Sequence, residues 1–122
     1  MDREELWVAL LTHRNELMLK SQVCAGSSNY CATSPREVIR LAVKYNSTRL
    51  IIAHNHPAGD PQPSEEDVRF THAIGMAAQT VGIQLLDHLI VGSDKLFFSF
   101  AREGFIEPLS HATDLRLAKS TR

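Results

Sequence analysis

The sequence lacks a long hydrophobic run and a basic leader. A transmembrane helix needs about 20 consecutive apolar residues, and no segment of this 122-residue chain approaches that length. A secretory signal peptide begins with a basic region, whereas residues 1–5 carry one arginine among three acids. We therefore expect a soluble protein of the cytoplasm that does not associate with membranes.

Cysteine is also scarce. Cys24 and Cys31 are the only two in the chain, which is too few for a disulfide scaffold, and they lack the C-x-x-C spacing of many metal and redox sites. We interpret both as thiols in a reducing compartment. With only 6 glycines and 5 prolines in the chain, the composition also excludes collagen-like and low-complexity proteins.

The sequence has no excess of charge of one sign. It carries 13 basic and 14 acidic residues, a net charge of −1 at pH 7 with neutral histidines. Proteins that bind nucleic acids usually carry a basic excess that neutralises phosphates. Nucleic-acid binding is therefore not expected of this domain alone.

The order of apolar segments predicts a single α/β domain, a mixed β-sheet with flanking helices. Both predicted helices begin at a serine: Ser34 stands in capping-box spacing with Glu37, and Ser64 precedes a first turn rich in acids. The second helix is predicted to end before Gly82. Residues 107–122 form a predicted polar C-terminal tail. The predicted strands cover residues 6–11, 17–23, 49–53, 83–91 and 96–100, and the first of them is apolar enough to be buried on both faces.

The segment after the third predicted strand carries the candidate chemistry. His54 and His56 stand at i and i+2, so that their imidazoles project to one side, and Asp67 lies in the first turn of the second helix. Two imidazoles and one carboxylate are a preferred zinc set, and three protein ligands leave the fourth position for water. A histidine pair alone is common at surfaces, and an aspartate alone is common at helix starts. Together, with a proline-rich loop between them, the three residues favour a zinc site.

The same residues resemble the JAMM motif of the JAB/MPN metalloprotease superfamily. In this sequence the motif is matched by His54 and His56, followed after ten intervening residues by Asp67. The RadC-like branch of that superfamily is matched in order and spacing by residues 34–37, 53–61, 86–92 and 98–100. The resemblance implies a deaminase-like JAB/MPN fold over residues 1–106, with one zinc ion held by the two histidines and Asp67. It also implies hydrolysis of peptide or isopeptide bonds in which Ser64 polarises the scissile carbonyl, although Ser64 is equally suited to capping the helix.

The sequence departs from the family at the general acid/base. The family places a glutamate on its second strand, and the corresponding positions here are Lys20, Ser21 and Gln22, with Ser21 the best match. Glu16 lies in the preceding turn, about 17 Å of extended chain away. We therefore expect a metal site without its usual acid. Because a general acid/base contributes about 10²–10⁴-fold to the rate, such a site would be slow or would only bind. Asp60 is either a substitute for that acid or a turn residue.

The sequence leaves several functions open. One is a zinc-dependent hydrolase of JAMM type, and another, favoured by the missing acid, is a zinc-binding module that binds a peptide or protein partner without turnover. An accessory role in DNA repair follows only from the historical label of the family, and the charge balance opposes it. A nucleoside deaminase requires H-x-E and C-x-x-C elements, whereas His56 stands in place of the glutamate and the chain has no C-x-x-C.

The remaining histidines carry simpler predictions. His88 follows Asp87 on a predicted strand and is either a partner of that carboxylate close to the metal or a hydrogen-bonded core histidine. His72, more than one turn beyond Asp67, is predicted to be structural or exposed. RadC-like chains commonly carry a helical region ahead of this domain, so the present chain is either a short member or an excised domain.

Overall fold

The computed structural model describes residues 4–25 and 34–106. Within them the elements follow the predicted order ββαβαββ, and neither helix is long and apolar enough to cross a bilayer. The predicted tail, Cys31 and the side chain of Cys24 lie outside the described part. The elements are β1 (Glu5–Leu11), β2 (Leu17–Ala25), α1 (Pro35–Lys44), β3 (Arg49–Asn55), α2 (Glu65–Thr80), β4 (Gln84–Val91) and β5 (Phe97–Ser99).

The five strands form one mixed sheet in the order β2-β1-β3-β4-β5. The pairs β1–β2, β1–β3 and β4–β5 are antiparallel, whereas β3 and β4 are parallel and are connected through α2. Because β3 is central, its carboxyl end lies between the start of β1 and the end of β4. Residues from three separate parts of the chain therefore meet at this end of the strands.

Both helices pack against one face of the sheet. The core between them is made of Leu6, Val8 and Leu10 of β1, Leu50 and Ile52 of β3, Val38 and Ala42 of α1, and Ile74 and Ala78 of α2. Trp7 and Ala9 point to the opposite face of β1 and are only partly buried. The prediction that β1 is buried on both faces is therefore wrong, because successive side chains of a strand alternate between faces and helices cover one face only among the described residues.

The two helix starts differ from each other in their capping. Ser64 accepts a hydrogen bond from the backbone N–H of Asp67, whose carboxylate accepts in return from the backbone N–H of Ser64. The predicted capping box at Ser34 does not form, because the Ser34 side chain makes no capping hydrogen bond and Glu37 instead pairs with Arg40 at 2.6 Å. Only the start of α2 is therefore closed by a reciprocal pair of side-chain hydrogen bonds.

The central strand β3 extends two residues beyond its predicted end at residue 53. His54 pairs with Leu6 of β1 and with Ile90 of β4, and Asn55 pairs with Val91. The Asn55 side chain also accepts a hydrogen bond of 2.6 Å from the backbone N–H of Glu5. Histidine and asparagine are not strong strand formers, and pairing with strands on both sides outweighs their local preference.

The buried hydroxyl of Ser47 closes the other end of the β1–β3 pair. Its Oγ accepts from the backbone N–H of Leu11 at 3.1 Å and lies 2.9 Å and 2.7 Å from the carbonyl oxygens of Leu11 and Arg49. We expect Ser47→Ala to lower the free energy of unfolding by about 1–3 kcal/mol, since buried backbone groups lose a partner. Denaturant unfolding measures this loss. The exposed Ser93→Ala is the control, with an expected change within about 0.5 kcal/mol; equal losses in the two variants would contradict the assignment.

Candidate metal centre

The candidate centre lies at the carboxyl end of β3. His54 is the penultimate residue of the strand, and His56 is the first residue after it. Their side chains project to the same side, with ring centroids 4.9 Å apart. The predicted convergence of the two imidazoles is therefore confirmed.

The loop that follows is held against the turn between β4 and β5. The backbone N–H of His56 donates to the carbonyl of Val91 at 3.0 Å, and the N–H of Ser93 donates to the carbonyl of Gly59 at 2.9 Å. A side chain on Gly92 would collide with the Gly59 carbonyl. This close approach of two backbones fixes the loop that carries His56 and leads into α2.

Glu4 joins the two histidines. One ligand atom each from Glu4, His54 and His56 lies within 4.8 Å of the others, and the Glu4 side chain is 15% exposed. The register explains this placement: Leu6 pairs with His54 in the antiparallel β1–β3 pair, so the chain two residues earlier lies opposite His56. Glu4, Leu6 and Val8 also share one face by alternation.

Asp67 approaches the histidines from the first turn of α2. Its Oδ2 lies 3.1 Å from His56 Nε2, and its Oδ1 lies 3.4 Å from His54 Nε2. Burial disfavours the charged carboxylate, but the contact with His54 and the hydrogen bond from the Ser64 backbone N–H outweigh it and hold the pKa of Asp67 well below its ordinary value. Asp67 is therefore a carboxylate at neutral pH that faces both imidazoles.

The hydrogen bond of His56 Nδ1 determines which nitrogen of the His56 ring carries the proton. His56 Nδ1 lies 2.9 Å from the carbonyl oxygen of Asp60. A carbonyl can only accept, so Nδ1 carries the proton and, in the neutral ring, Nε2 presents a lone pair towards Asp67. This is the arrangement found in metal-ligating histidines, whose second nitrogen donates to a carbonyl or carboxylate.

His54 Nε2 is buried and has no hydrogen-bond partner among the described residues. It lies 3.4 Å from Asp67 Oδ1 and 3.8 Å from Glu4 Oε2. Two carboxylates and two imidazole nitrogens thus converge on one point. Such a set of acceptors is stabilised when a cation lies between them, and imidazole with carboxylate suits a divalent transition metal. The donor set therefore fits a metal ion.

Comparison with known proteins agrees with this geometry. Residues 1–105 match the family described as the RadC-like JAB domain. The chain belongs to this family. The expected α/β fold of the JAB/MPN superfamily is thereby confirmed, with a mixed five-stranded sheet and two helices in residues 4–25 and 34–106.

Relatives in several bacteria share this domain. The chain is 40% identical over 105 residues to a UPF0758 protein of Enterococcus faecalis, covering 86% of this chain and 45% of the relative. It is 43% identical over 93 residues to one of Carboxydothermus hydrogenoformans, with coverages of 76% and 41%. A third, from Burkholderia cenocepacia, is 44% identical over 103 residues, with coverages of 84% and 40%. The chain thus spans less than half the length of these relatives.

A carboxylate other than Asp67 lies beside the two histidines of this RadC-like domain, and it is not on the second strand. Ser21 pairs with Val8, and β1 separates β2 from β3, so residues 20–22 lie two strands away from His54. The sequence analysis considered residues 20–22 for an acid, whereas the carboxylate that reaches the histidines is that of Glu4, directly before β1. The signal that could have revealed Glu4 is its alternation with the buried residues of β1, combined with the antiparallel register to β3.

Ser64 and Asp60 have defined structural roles. Ser64 caps α2, as one of its two predicted roles requires, and its side chain is exposed beside Asp67. Asp60 Oδ1 accepts from the backbone N–H of Gln62 at 3.0 Å, which confirms the prediction of a turn residue. Asp60 also reaches the centre, but through its carbonyl oxygen on His56 and not through its carboxylate.

His88 is fully buried and touches the centre directly. Its ring nitrogens contact His54 and Thr71, whereas the Asp87 carboxylate accepts from Ser99 Oγ and from backbone N–H groups. Of the two alternatives predicted for His88, the structure shows the hydrogen-bonded core histidine. Its ring does not pair with the Asp87 carboxylate, because successive strand residues face opposite sides of the sheet. Burial and the neighbouring His54 lower the pKa of His88 to about 3, so the ring is neutral at pH 7. His72 is exposed, as predicted.

We expect purified protein reconstituted with Zn²⁺ to bind about one ion per chain, since three ligands converge on one point. His56→Ala and Asp67→Ala each remove a ligand and should abolish tight binding. His72→Ala, which removes an exposed histidine of α2, is the matched control and should bind as the wild type does. Elemental mass spectrometry after gel filtration measures the stoichiometry. A folded wild type that binds no ion after reconstitution would contradict the assignment.

Proposed function

We propose that this chain is a zinc-dependent hydrolase of peptide or isopeptide bonds. The observation that carries the proposal is the convergence of a Glu4 carboxylate oxygen with one ring nitrogen each of His54 and His56, within 4.8 Å of one another. Asp67 closes the same cluster from α2. Three ligands and one further carboxylate are the parts that a metal-assisted hydrolysis needs.

In this proposal His54, His56 and Asp67 hold the ion. Asp67 is suited to be the ligand because its carboxylate is within 3.4 Å of both imidazoles and is held by the Ser64 backbone N–H. When bound there, zinc would supply Lewis-acid chemistry, which would polarise the scissile carbonyl and would lower the pKa of water to about 7. The protein contributes a fixed ligand geometry through the strand end, the pinned loop and the helix cap.

Glu4 is the residue that we assign as general base and acid. Its Oε2 lies 3.8 Å from His54 Nε2, farther than the nearer oxygen of Asp67, so it stands beside the ligand set. A general base must come within hydrogen-bond reach of the proton that it takes. From this position the Glu4 carboxylate can take a proton from the attacking water and pass it to the leaving amine.

Ser64 is the second proposed catalytic residue. Its Oγ already accepts the hydrogen bond from the Asp67 backbone N–H. A hydroxyl that accepts can still donate its own proton, so the exposed Ser64 can donate to the carbonyl oxygen of a substrate. The capping and the carbonyl-polarising roles are therefore compatible.

We propose a peptide or protein chain as the substrate. The centre lies at the carboxyl end of the central strand β3, and Asp67 and His56 are partly exposed there, so that a peptide chain can approach it. The net charge of −1 gives no attraction for a polyphosphate backbone, which binds through neutralising basic residues.

We expect Glu4→Gln to retain the metal and to lose about 10²–10⁴-fold in turnover, since an amide cannot accept the proton. Fluorescein-labelled casein and a fluorogenic lysine-linked isopeptide are suitable probes, each assayed with and without chelator. Glu5→Gln is the matched control because Glu5 bonds to the Trp7 indole outside the cluster, and it should remain as active as the wild type.

Two outcomes would count against this proposal. Zinc-loaded wild type that turns over neither probe would favour a binding module without turnover. Equal activity of Glu4→Gln and the wild type would show that Glu4 is not the base.

A further inference from the structure

A chain of hydrogen bonds connects the backbone of α2 at Asp67 with the Nδ1 atom of His54. Thr71 Oγ1 donates to the carbonyl oxygen of Asp67 at 2.7 Å and lies 2.5 Å from His88 Nδ1. His88 Nε2 in turn lies 2.7 Å from His54 Nδ1. The chain begins at the backbone of one candidate ligand, Asp67, and ends at the ring of another.

The direction of each hydrogen bond follows from the one before it. The Asp67 carbonyl can only accept, so the single hydroxyl proton of Thr71 is committed to it, and Thr71 Oγ1 accepts from His88. A neutral His88 with its proton on Nδ1 presents a lone pair on Nε2. His54 must then donate from Nδ1, and in the neutral ring this leaves the lone pair on Nε2, the nitrogen that faces Glu4 and Asp67.

The surroundings hold His88 in this role. Its side chain is 0% exposed, and its ring stacks on Phe100 with centroids 4.7 Å apart and an angle of 9° between the planes. One ring nitrogen contacts the Thr71 hydroxyl, and the other contacts His54 Nδ1. Burial without a carboxylate at either nitrogen favours the neutral ring, which has one donor and one acceptor.

We propose that Thr71 and His88 are positioning residues that select the tautomer of His54 with the proton on Nδ1 and the lone pair on Nε2. This inference rests on the proposed metal site, for which only that tautomer offers a ligand. In the opposite tautomer a proton on His54 Nε2 would point into the cluster. Partners of ligating histidines typically contribute about 10- to 100-fold to metal affinity.

The variants for the test are Thr71→Val and Thr71→Ser. Valine keeps the shape of the side chain and removes the acceptor for His88, whereas serine keeps the hydroxyl. Thr80→Val is the matched control, because Thr80 lies on the same helix and donates to the carbonyl four residues earlier in the same way, at 3.0 Å to Met76.

Three measurements apply to each protein. Long-range proton–nitrogen correlation NMR on isotope-labelled histidines of the metal-free chain reports which nitrogen of His54 and of His88 carries the proton. Competition with a chelating dye reports the affinity for Zn²⁺. Thermal unfolding confirms that each variant is folded, and if Thr71→Val does not fold, the wild-type spectrum decides the tautomer.

We expect the wild type to carry protons on Nδ1 of both His54 and His88. Thr71→Val should shift His54 towards the Nε2-protonated form and weaken Zn²⁺ binding by about 10- to 100-fold, whereas Thr71→Ser and Thr80→Val should match the wild type. A wild-type His54 protonated on Nε2 would overturn the proposal. A Thr71→Val variant with unchanged tautomer, or with unchanged affinity, would overturn it as well.

The NMR measurement separates this proposal from the proposed function. If the wild type shows the expected protons but binds no Zn²⁺, the metal site fails while the selection of the tautomer stands. If Zn²⁺ binds tightly and the protons lie elsewhere, the metal site stands and the positioning role fails.

Discussion

The pairing of β3 with β1 on one side and β4 on the other is the constraint on which the candidate centre depends. This pairing extends β3 as far as Asn55 and places His54 between two neighbouring strands. The antiparallel neighbour β1 places Glu4 beside the two histidines. The parallel neighbour β4 places His88 against Nδ1 of His54. Without this ladder the two histidines would remain near each other, but the acid and the buried partner would not reach them.

The helix α2 contributes to the same point through groups that also stabilise its own start. The Asp67 carboxylate closes the capping box with Ser64 and faces both imidazoles. One turn later, the Thr71 hydroxyl donates to the Asp67 carbonyl and contacts the His88 ring. The helix cap and the placement of the Asp67 carboxylate therefore share hydrogen bonds, and the Asp67 backbone is bonded to the residue that contacts His88.

Local rules account for the parts of the fold that were predicted well. The β1–β2 hairpin, the capped start of α2 and its end before Gly82, which has a φ of 77°, each depend on a few neighbouring residues. The same rules failed where a side chain had two possible partners nearby. Glu37, for example, pairs with Arg40 and does not close a capping box with Ser34. They also failed for β1, because an apolar strand does not reveal how many of its faces the helices cover.

The sequence by itself determined the family and the three candidate ligands, because the spacing of His54, His56 and Asp67 is a property of one continuous segment. Only the tertiary structure decided that Glu4 completes the cluster and that Thr71 and His88 stand behind His54. Those contacts join residues far apart in the chain. They depend on the register between strands and on the packing of α2 on the sheet. Neither of these can be recognised from a pattern in one short stretch of sequence.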